Sequence, residues 1–148
     1  MREILFKAKR KDNGEWVEGF LLSDGMQEPE HWFVGSIVIE PCKGTACDEW
    51  DITGIALEEI DISSLCQFTG LTDKNGQKIW ENDIVKTSKF GQDDGNGHNH
   101  AGFDMFSVKW NNGGFALLNQ WRRFNLRQDK EEYKVIGNIF DNPELLEV

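Results

Sequence analysis

The chain has 148 residues, a mass of 17.0 kDa, 39% hydrophobic residues and a formal net charge of −10. That length fits one domain, or two small lobes sharing a core, and the lack of any run of about 18 apolar residues excludes a membrane-spanning helix. The charge disfavours non-specific nucleic-acid binding, because phosphates must be met by Lys and Arg.

The charge is uneven. Residues 1–66 hold six Lys/Arg against fourteen Asp/Glu, a balance of −8. Residues 67–148 hold ten against twelve, a balance of −2, and carry Arg122, Arg123 and Arg127 close together. Met1-Arg2-Glu3-Ile4-Leu5-Phe6-Lys7 places charge where a signal peptide would be apolar, so a cytoplasmic protein is expected. The three cysteines, Cys42, Cys47 and Cys66, cannot all pair within one chain, and free thiols are the expectation in a reducing compartment. Cys42-x4-Cys47 lacks the second ligand pair of a zinc site, so no zinc is expected.

In chain order, residues 2–9 read as a strand with Ile4, Phe6 and Ala8 alternating against Glu3, Lys7 and Lys9. Asp12-Asn13-Gly14 signals a turn, and Trp16, Val17, Phe20 and Leu21 continue as its partner strand. Residues 25–30 read as a loop. His31 to Ile39 is rich in β-branched and aromatic residues and reads as strand, closed by Pro41, which has no N–H for a ladder. Residues 42–51 are an acidic connection. Ile52 to Cys66 is ambiguous between a helical turn near Ala56–Ile60 and a strand, and Asp61 with its serines can cap a short turn.

Phe68 to Lys86 carries the strongest signal in the chain. Two apolar strand patterns flank Asn75-Gly76, which predicts a hairpin closed by a type I′ turn, whose central residues both need positive φ. Asp83 to Lys86 opens another strand. Residues 87–104 are rich in Gly, Asp, Asn and His and read as a loop. Strands return at Met105–Trp110 and Phe115–Leu118 around a tight turn at Asn111-Asn112-Gly113-Gly114, and Tyr133–Ile139 is the last. Asn142 with Pro143 predicts a single helical turn, Asn142 as N-cap. Short strands with Gly and Asn turns make the fold class mainly β.

Three blocks resemble the YopX family of phage and prophage proteins: Arg2 to Ala8; Gln67 to Gly76 with Ile79 to Val85; and Val135 to Leu146. Together they cover essentially the whole chain. Asn82 departs from the Gly that the family usually has before Asp, but Asn tolerates left-handed backbone geometry. The resemblance implies a C-terminal SH3-like β-barrel over residues 67–148 after an acidic N-terminal β lobe over residues 1–66. It also implies oligomers in at least some members, no established biochemical activity and no catalytic residues. The matching positions make sense as scaffold: Gly70 and Gly76 relieve turns, Ile79, Ile84 and Val85 supply core, and Asp83 accepts backbone N–H groups.

His98-Asn99-His100, with Asp93, Asp94 and Asp104 nearby, has donors that suit zinc or manganese. In a Gly-rich loop such histidines are more often solvated and unligated, and no metal or other cofactor is expected. Ser63 and Ser64 have no Gly-x-Ser-x-Gly setting, Cys66 reads as a small buried hydrophobe, and no phosphate-cradling loop is present. The best candidate binding surface is Trp110, Trp121, Arg122, Arg123 and Arg127, with Phe115 and Phe124 beside them. Aromatic rings stack on bases and arginines meet phosphates, but Trp and Arg are equally enriched in subunit interfaces. The expectation is a non-enzymatic binding or assembly module that self-associates or holds a phage or host protein. The alternatives are a nucleic-acid accessory protein using Trp121 to Arg127, and a metal-dependent enzyme using His98 and His100.

Overall fold

The computed structural model describes residues 1–41, 50–87, 105–120, 122–127 and 133–147. The chain is mainly β, in two antiparallel sheets, with no α-helix and no closed barrel among the described residues. It divides into two compact units, Ile4–Leu65 and Cys66–Val148 with Met1–Glu3.

The first unit contains β1 (Phe6–Lys9), β2 (Trp16–Ser23), β3 (Trp32–Pro41) and β4 (Trp50–Glu59), paired antiparallel in the order β4-β3-β2-β1. β1 is shorter than expected from residues 2–9. The turn after it closes with Gly14 at φ +72°, its N–H donating to the Arg10 carbonyl at 2.9 Å. In the loop before β3, the Asp24 carboxylate accepts N–H groups of Met26, Glu30 and His31 at 3.0, 3.1 and 3.0 Å. Those donors, Met26 foremost, hold its pKa below the usual carboxylate value.

Ala8, Val34 and Ile60 form the small core of this unit, with Phe6, Val17, Leu21, Trp32 and Leu65 against them. The ambiguous segment resolves as strand through Glu59, followed by a 3-10 turn at Ile62–Ser64. Asp61 caps that turn, accepting from the Ser63 N–H at 3.0 Å and the Ser63 hydroxyl at 2.7 Å. Residues 56–59 pair with β3, and a cross-strand partner outweighs weak helical propensity.

The second unit contains a hairpin of β5 (Cys66–Thr72) and β6 (Lys78–Trp80). It also holds β7 (Asp83–Thr87), β8 (Met105–Asn111), β9 (Gly114–Leu118), β10 (Arg123–Asn125) and β11 (Tyr133–Asn138). The last five form a sheet in the order β10-β9-β8-β7-β11. Its core is Ile79, Val85, Phe106, Val108, Leu117 and Tyr133. Cys66 is buried, its Sγ accepting from the Asn82 side-chain amide at 3.5 Å. Residues 42–49, 88–104, 121, 128–132 and 148 lie outside the described residues, and with them most of the predicted acidic connection and loop, Cys42 and Cys47. Trp50 and Asp51, expected in that connection, instead open β4, paired with Pro41 and Glu40.

The hairpin at Asn75-Gly76 forms, but not through a type I′ turn. Gly76 has φ +79°, whereas Asn75 is not among the residues with positive φ. Gly76 N–H donates to the Asp73 carbonyl at 3.0 Å, and Asp73 N–H to the Gln77 carbonyl at 2.8 Å. This is a three-residue loop, a tight turn followed by a left-handed glycine that makes a bulge. Asp73 is the reason. Its buried carboxylate accepts N–H groups of Asn75 and Gln77 at 2.8 and 3.0 Å, which holds that geometry. Its other oxygen accepts the Val135 N–H of β11 at 3.0 Å.

Two consecutive positive φ values occur instead at Asn112 (+50°) and Gly113 (+82°), which connect β8 to β9. Asn82, at φ +68°, adopts the left-handed turn expected of it. Asn142 does precede a 3-10 turn, Pro143–Leu146, but its side chain does not cap it. Its Oδ1 accepts instead from the Asn138 N–H at 3.4 Å.

Candidate interaction surface

β3 and β4 begin as part of a covered sheet and end as an open two-stranded arm. Trp32 and Phe33 are half-buried, and Val34 and Gly35 are buried, but every residue from Ser36 to Pro41 is exposed. On β4 the same holds from Trp50 to Thr53 and from Ile55 to Leu57. Gly35 marks the change. A Cβ there would overlap the carbonyl oxygen of Ala56, so only glycine admits this approach of the two backbones.

Pairing sets which side chains share a face of the arm. Directly opposed residues of antiparallel strands lie on one face. The opposed pairs Ile37 with Ile55, Ile39 with Ile52, and Pro41 with Trp50 therefore fall together, and Leu57 joins them two residues from Ile55. The other face carries Ser36, Val38, Glu40, Asp51, Gly54 and Ala56. One face is wholly apolar and uncharged; the other carries one large apolar side chain, Val38, among small and acidic residues.

Ile52 and Ile55 are three residues apart, so in a regular strand they would point to opposite faces. The register shifts between Val38 and Ile39, because Val38 opposes Gly54 while Ile39 opposes Ile52. Thr53 is the extra residue of this bulge, and its hydroxyl donates to the Val38 carbonyl at 3.4 Å. One inserted residue thus gathers Trp50, Ile52 and Ile55 onto the apolar face. Exposure there is high: Ile37 46%, Ile39 53%, Trp50 53%, Ile52 58% and Ile55 59%. Scattered exposed apolar residues are ordinary, but a contiguous set marks an interaction site.

The sequence-predicted surface is distributed differently. Trp110 is half exposed and meets Phe115 edge-on, ring centroids 5.0 Å apart. Phe115 also lies 5.8 Å from the Arg2 guanidinium. Arg123, exposed on β10, stands opposite Leu118, which stands opposite Ser107. Ser107 and Trp110 are three apart on β8, so Arg123 and Trp110 project from opposite faces of the sheet. Arg122 is half-buried in a turn where its N–H donates to Asn119 Oδ1 at 2.8 Å. Arg127 is exposed beyond β10, and Phe124 packs edge-on to the core residue Phe106. Trp121, His98 and His100 lie outside the described residues.

Two clefts bring cations together, one in each unit. A cleft of about 460 Å³ in the first unit is lined by Lys9, Arg10, Lys11, Trp32 and Asp61. Arg10 already pairs with Asp12 at 2.7 Å and Glu58 at 3.1 Å, and Lys11 with Glu59 at 3.1 Å. A cleft of about 560 Å³ in the second is lined by Arg2, Phe68, Gly70 and Lys78. There Lys78 lies over the Phe68 ring and 3.9 Å from Glu3. Among the described residues, no three His, Cys, Asp or Glu side chains are placed to hold a metal, and no helix is long and apolar enough to cross a membrane.

The arm residues carried a signal in the sequence that strand assignment alone did not use. Trp32 to Ile39 is apolar on both alternating sets of positions, and a strand apolar on both faces needs cover on both. The fold supplies that cover at the base of the strand and not along the arm.

Architecture and surface together define an all-antiparallel β protein of two units that holds an apolar ribbon open to solvent. The family described as YopX protein matches residues 5–147, and the chain belongs to the YopX family. The crystal structure of protein EF1440 from Enterococcus faecalis is similar to it, with a TM-score of 0.59, 22% identity and 99% of each chain covered. That likeness concerns the fold alone. No functionally curated protein matches the chain.

Proposed function

We propose that this chain is a non-enzymatic assembly module that self-associates, a phage- or prophage-type protein of the cytoplasm. The observation that carries the reading is the uncharged face formed by Ile37, Ile39, Trp50, Ile52, Ile55 and Leu57. Such a face has no acid, base or nucleophile to offer a substrate, but removing it from water is favourable by about 25 cal/mol per Å². The three sequence blocks shared with phage and prophage relatives support the biological setting. Five antiparallel strands around one core support an SH3-like organisation of residues 67–148, and the −8 balance of residues 1–66 supports an acidic N-terminal lobe.

Light scattering over a concentration series tests the reading, with a mass above that of one chain expected in the tens-of-micromolar range. A single-chain mass throughout that range counts against it. A nucleic-acid titration at several salt concentrations addresses the competing use of Arg122, Arg123 and Arg127. Phosphate contacts would make binding weaken steeply with salt, and no saturable binding is expected at any of them.

A further inference from the structure

We infer that the occupant of the apolar arm face is the same face of a second copy, stacked layer on layer about a two-fold axis. This rests on the self-association reading above and specifies which surface performs it. A two-fold interface must be self-complementary, since each residue meets its own counterpart or a residue on the same patch. The pairs Ile37–Ile55 and Ile39–Ile52 make a square of four isoleucines, flanked by Trp50 and Leu57. A like square can interdigitate with it at the usual spacing of about 10 Å between stacked sheets.

Charge favours the same occupant. The protein bears −10 overall, and the arm's opposite face carries Glu40 and Asp51. Two copies therefore repel wherever acidic surfaces approach, and the uncharged face is where they can meet without opposing charges. A basic partner would be drawn to the acidic face and would leave the apolar one open.

Stacking is favoured over edge-to-edge pairing by the bulge. β4 is the outer strand of its sheet, and a bulge in an outer strand breaks the ladder that another strand would extend. The bulge at Thr53 thus blunts the edge while completing the face.

The test compares light-scattering masses of four full-length proteins, each checked by circular dichroism and thermal melting. Ile37→Lys/Ile55→Lys places two charges on the apolar face at exposed, opposed positions. Ser36→Lys/Ala56→Lys places the same charges on the other face at the neighbouring pair. Deleting Thr53 restores a regular ladder and leaves Ile52 two residues from Ile55, so Trp50, Ile52 and Ile55 stay on the apolar face. The face double variant is expected to weaken self-association at least about a hundredfold, since a lysine buried without a counter-ion is heavily disfavoured. The Ser36/Ala56 variant and the Thr53 deletion, which leave the apolar face unchanged, are expected to keep the parent mass. Added salt is expected to strengthen the parent's association by screening the acidic repulsion.

If the parent is oligomeric and the face double variant, still folded, keeps its mass, the stacked-face inference is overturned while self-association stands. If the back-face variant or the Thr53 deletion, still folded, dissociates equally, the face assignment is overturned in the same way. If the parent is a single chain at every concentration, self-association and the inference fall together.

Discussion

The core of the second unit and the arm of the first are built from the same kinds of residue and meet opposite fates. Ile79, Val85, Val108 and Leu117 are wholly buried, while Ile37, Ile39, Ile52 and Ile55 are about half open. Both sets sit on antiparallel strands with well-paired backbones. A β-branched side chain is buried only if a second layer covers its face of the sheet. In the second unit the apolar face of the β10-β9-β8-β7-β11 sheet is covered; beyond Gly35 the arm has nothing described above it. The lesson is that residue type chooses the strand, and the layer arrangement chooses whether its side chains stabilise the fold or face outward.

The sharpest way to break that contrast is truncation on both sides. Phe106→Ala is expected to lower the stability of the second unit by about 3–5 kcal/mol, through lost transfer energy and the cavity left behind. Ile39→Ala, assayed by urea unfolding at a dilution where the protein is monomeric, should change the unfolding free energy by no more than about 0.5 kcal/mol. Comparable losses for the two variants would mean that the arm is covered in the monomer and that the contrast drawn here is wrong.

Asp73 sharpens the comparison from the polar side, because the covered unit also depends on buried polar pairing. Asp73→Ala leaves the N–H groups of Asn75, Gln77 and Val135 without their carboxylate acceptor. A loss of about 3 kcal/mol is expected, on the scale of 1–3 kcal/mol for an unsatisfied buried group. Hydrogen exchange should show faster exchange at Val135 than elsewhere in β11. An unchanged melting temperature would show that water replaces the carboxylate at no cost.

Glycine substitution distinguishes base from arm within a single pair of strands. Gly35→Ala forces the new methyl against the Ala56 carbonyl and should cost about 1–3 kcal/mol. Gly54→Ala, whose Cβ would stand 4.0 Å from that of Val38, should be neutral or stabilising by up to about 1 kcal/mol. Thermal melting of the two variants reads the difference directly, and equal shifts would place the close backbone approach elsewhere.

The smallest effect is electrostatic and confined to the first unit. Asp24 is held below its ordinary pKa by backbone N–H groups, Glu59 by His31 and then Lys11, and Asp61 by Ser63. A depressed folded-state pKa contributes stability that is full above the unfolded value and is lost as pH falls through the folded one. With unfolded values near 4, the melting temperature should be flat down to about pH 5 and decline below pH 4. Asp24→Asn should shallow that decline, and a steeper decline in the variant would reverse the sign assigned here.

Much of this architecture was legible because it depends on neighbours in the chain. Positive φ at Gly14, Gly76, Asn112 and Gly113 needs residues that accept left-handed backbone, and those residues announce their turns. Alternation and β-branching place most of the strands, but Trp50–Glu59 stays ambiguous with a helical turn until its pairing with β3 decides it. The Arg123–Asn125 strand escaped because three residues carry no period, and it exists only by pairing with β9. The turn at Asn75-Gly76 took another form because Asp73 supplies acceptors to both the loop and β11, a strand 62 residues on.

The arm shows the boundary between the two kinds of information. That Trp32–Pro41 forms a strand follows from side-chain branching and φ preferences, which are local, whereas Trp50–Glu59 is a strand through its pairing with it. That Thr53 bulges, that seven apolar side chains gather on one face, and that this face stays open follow from register and from which layers stack. Those depend on contacts between residues far apart in the chain, where no short-range preference acts.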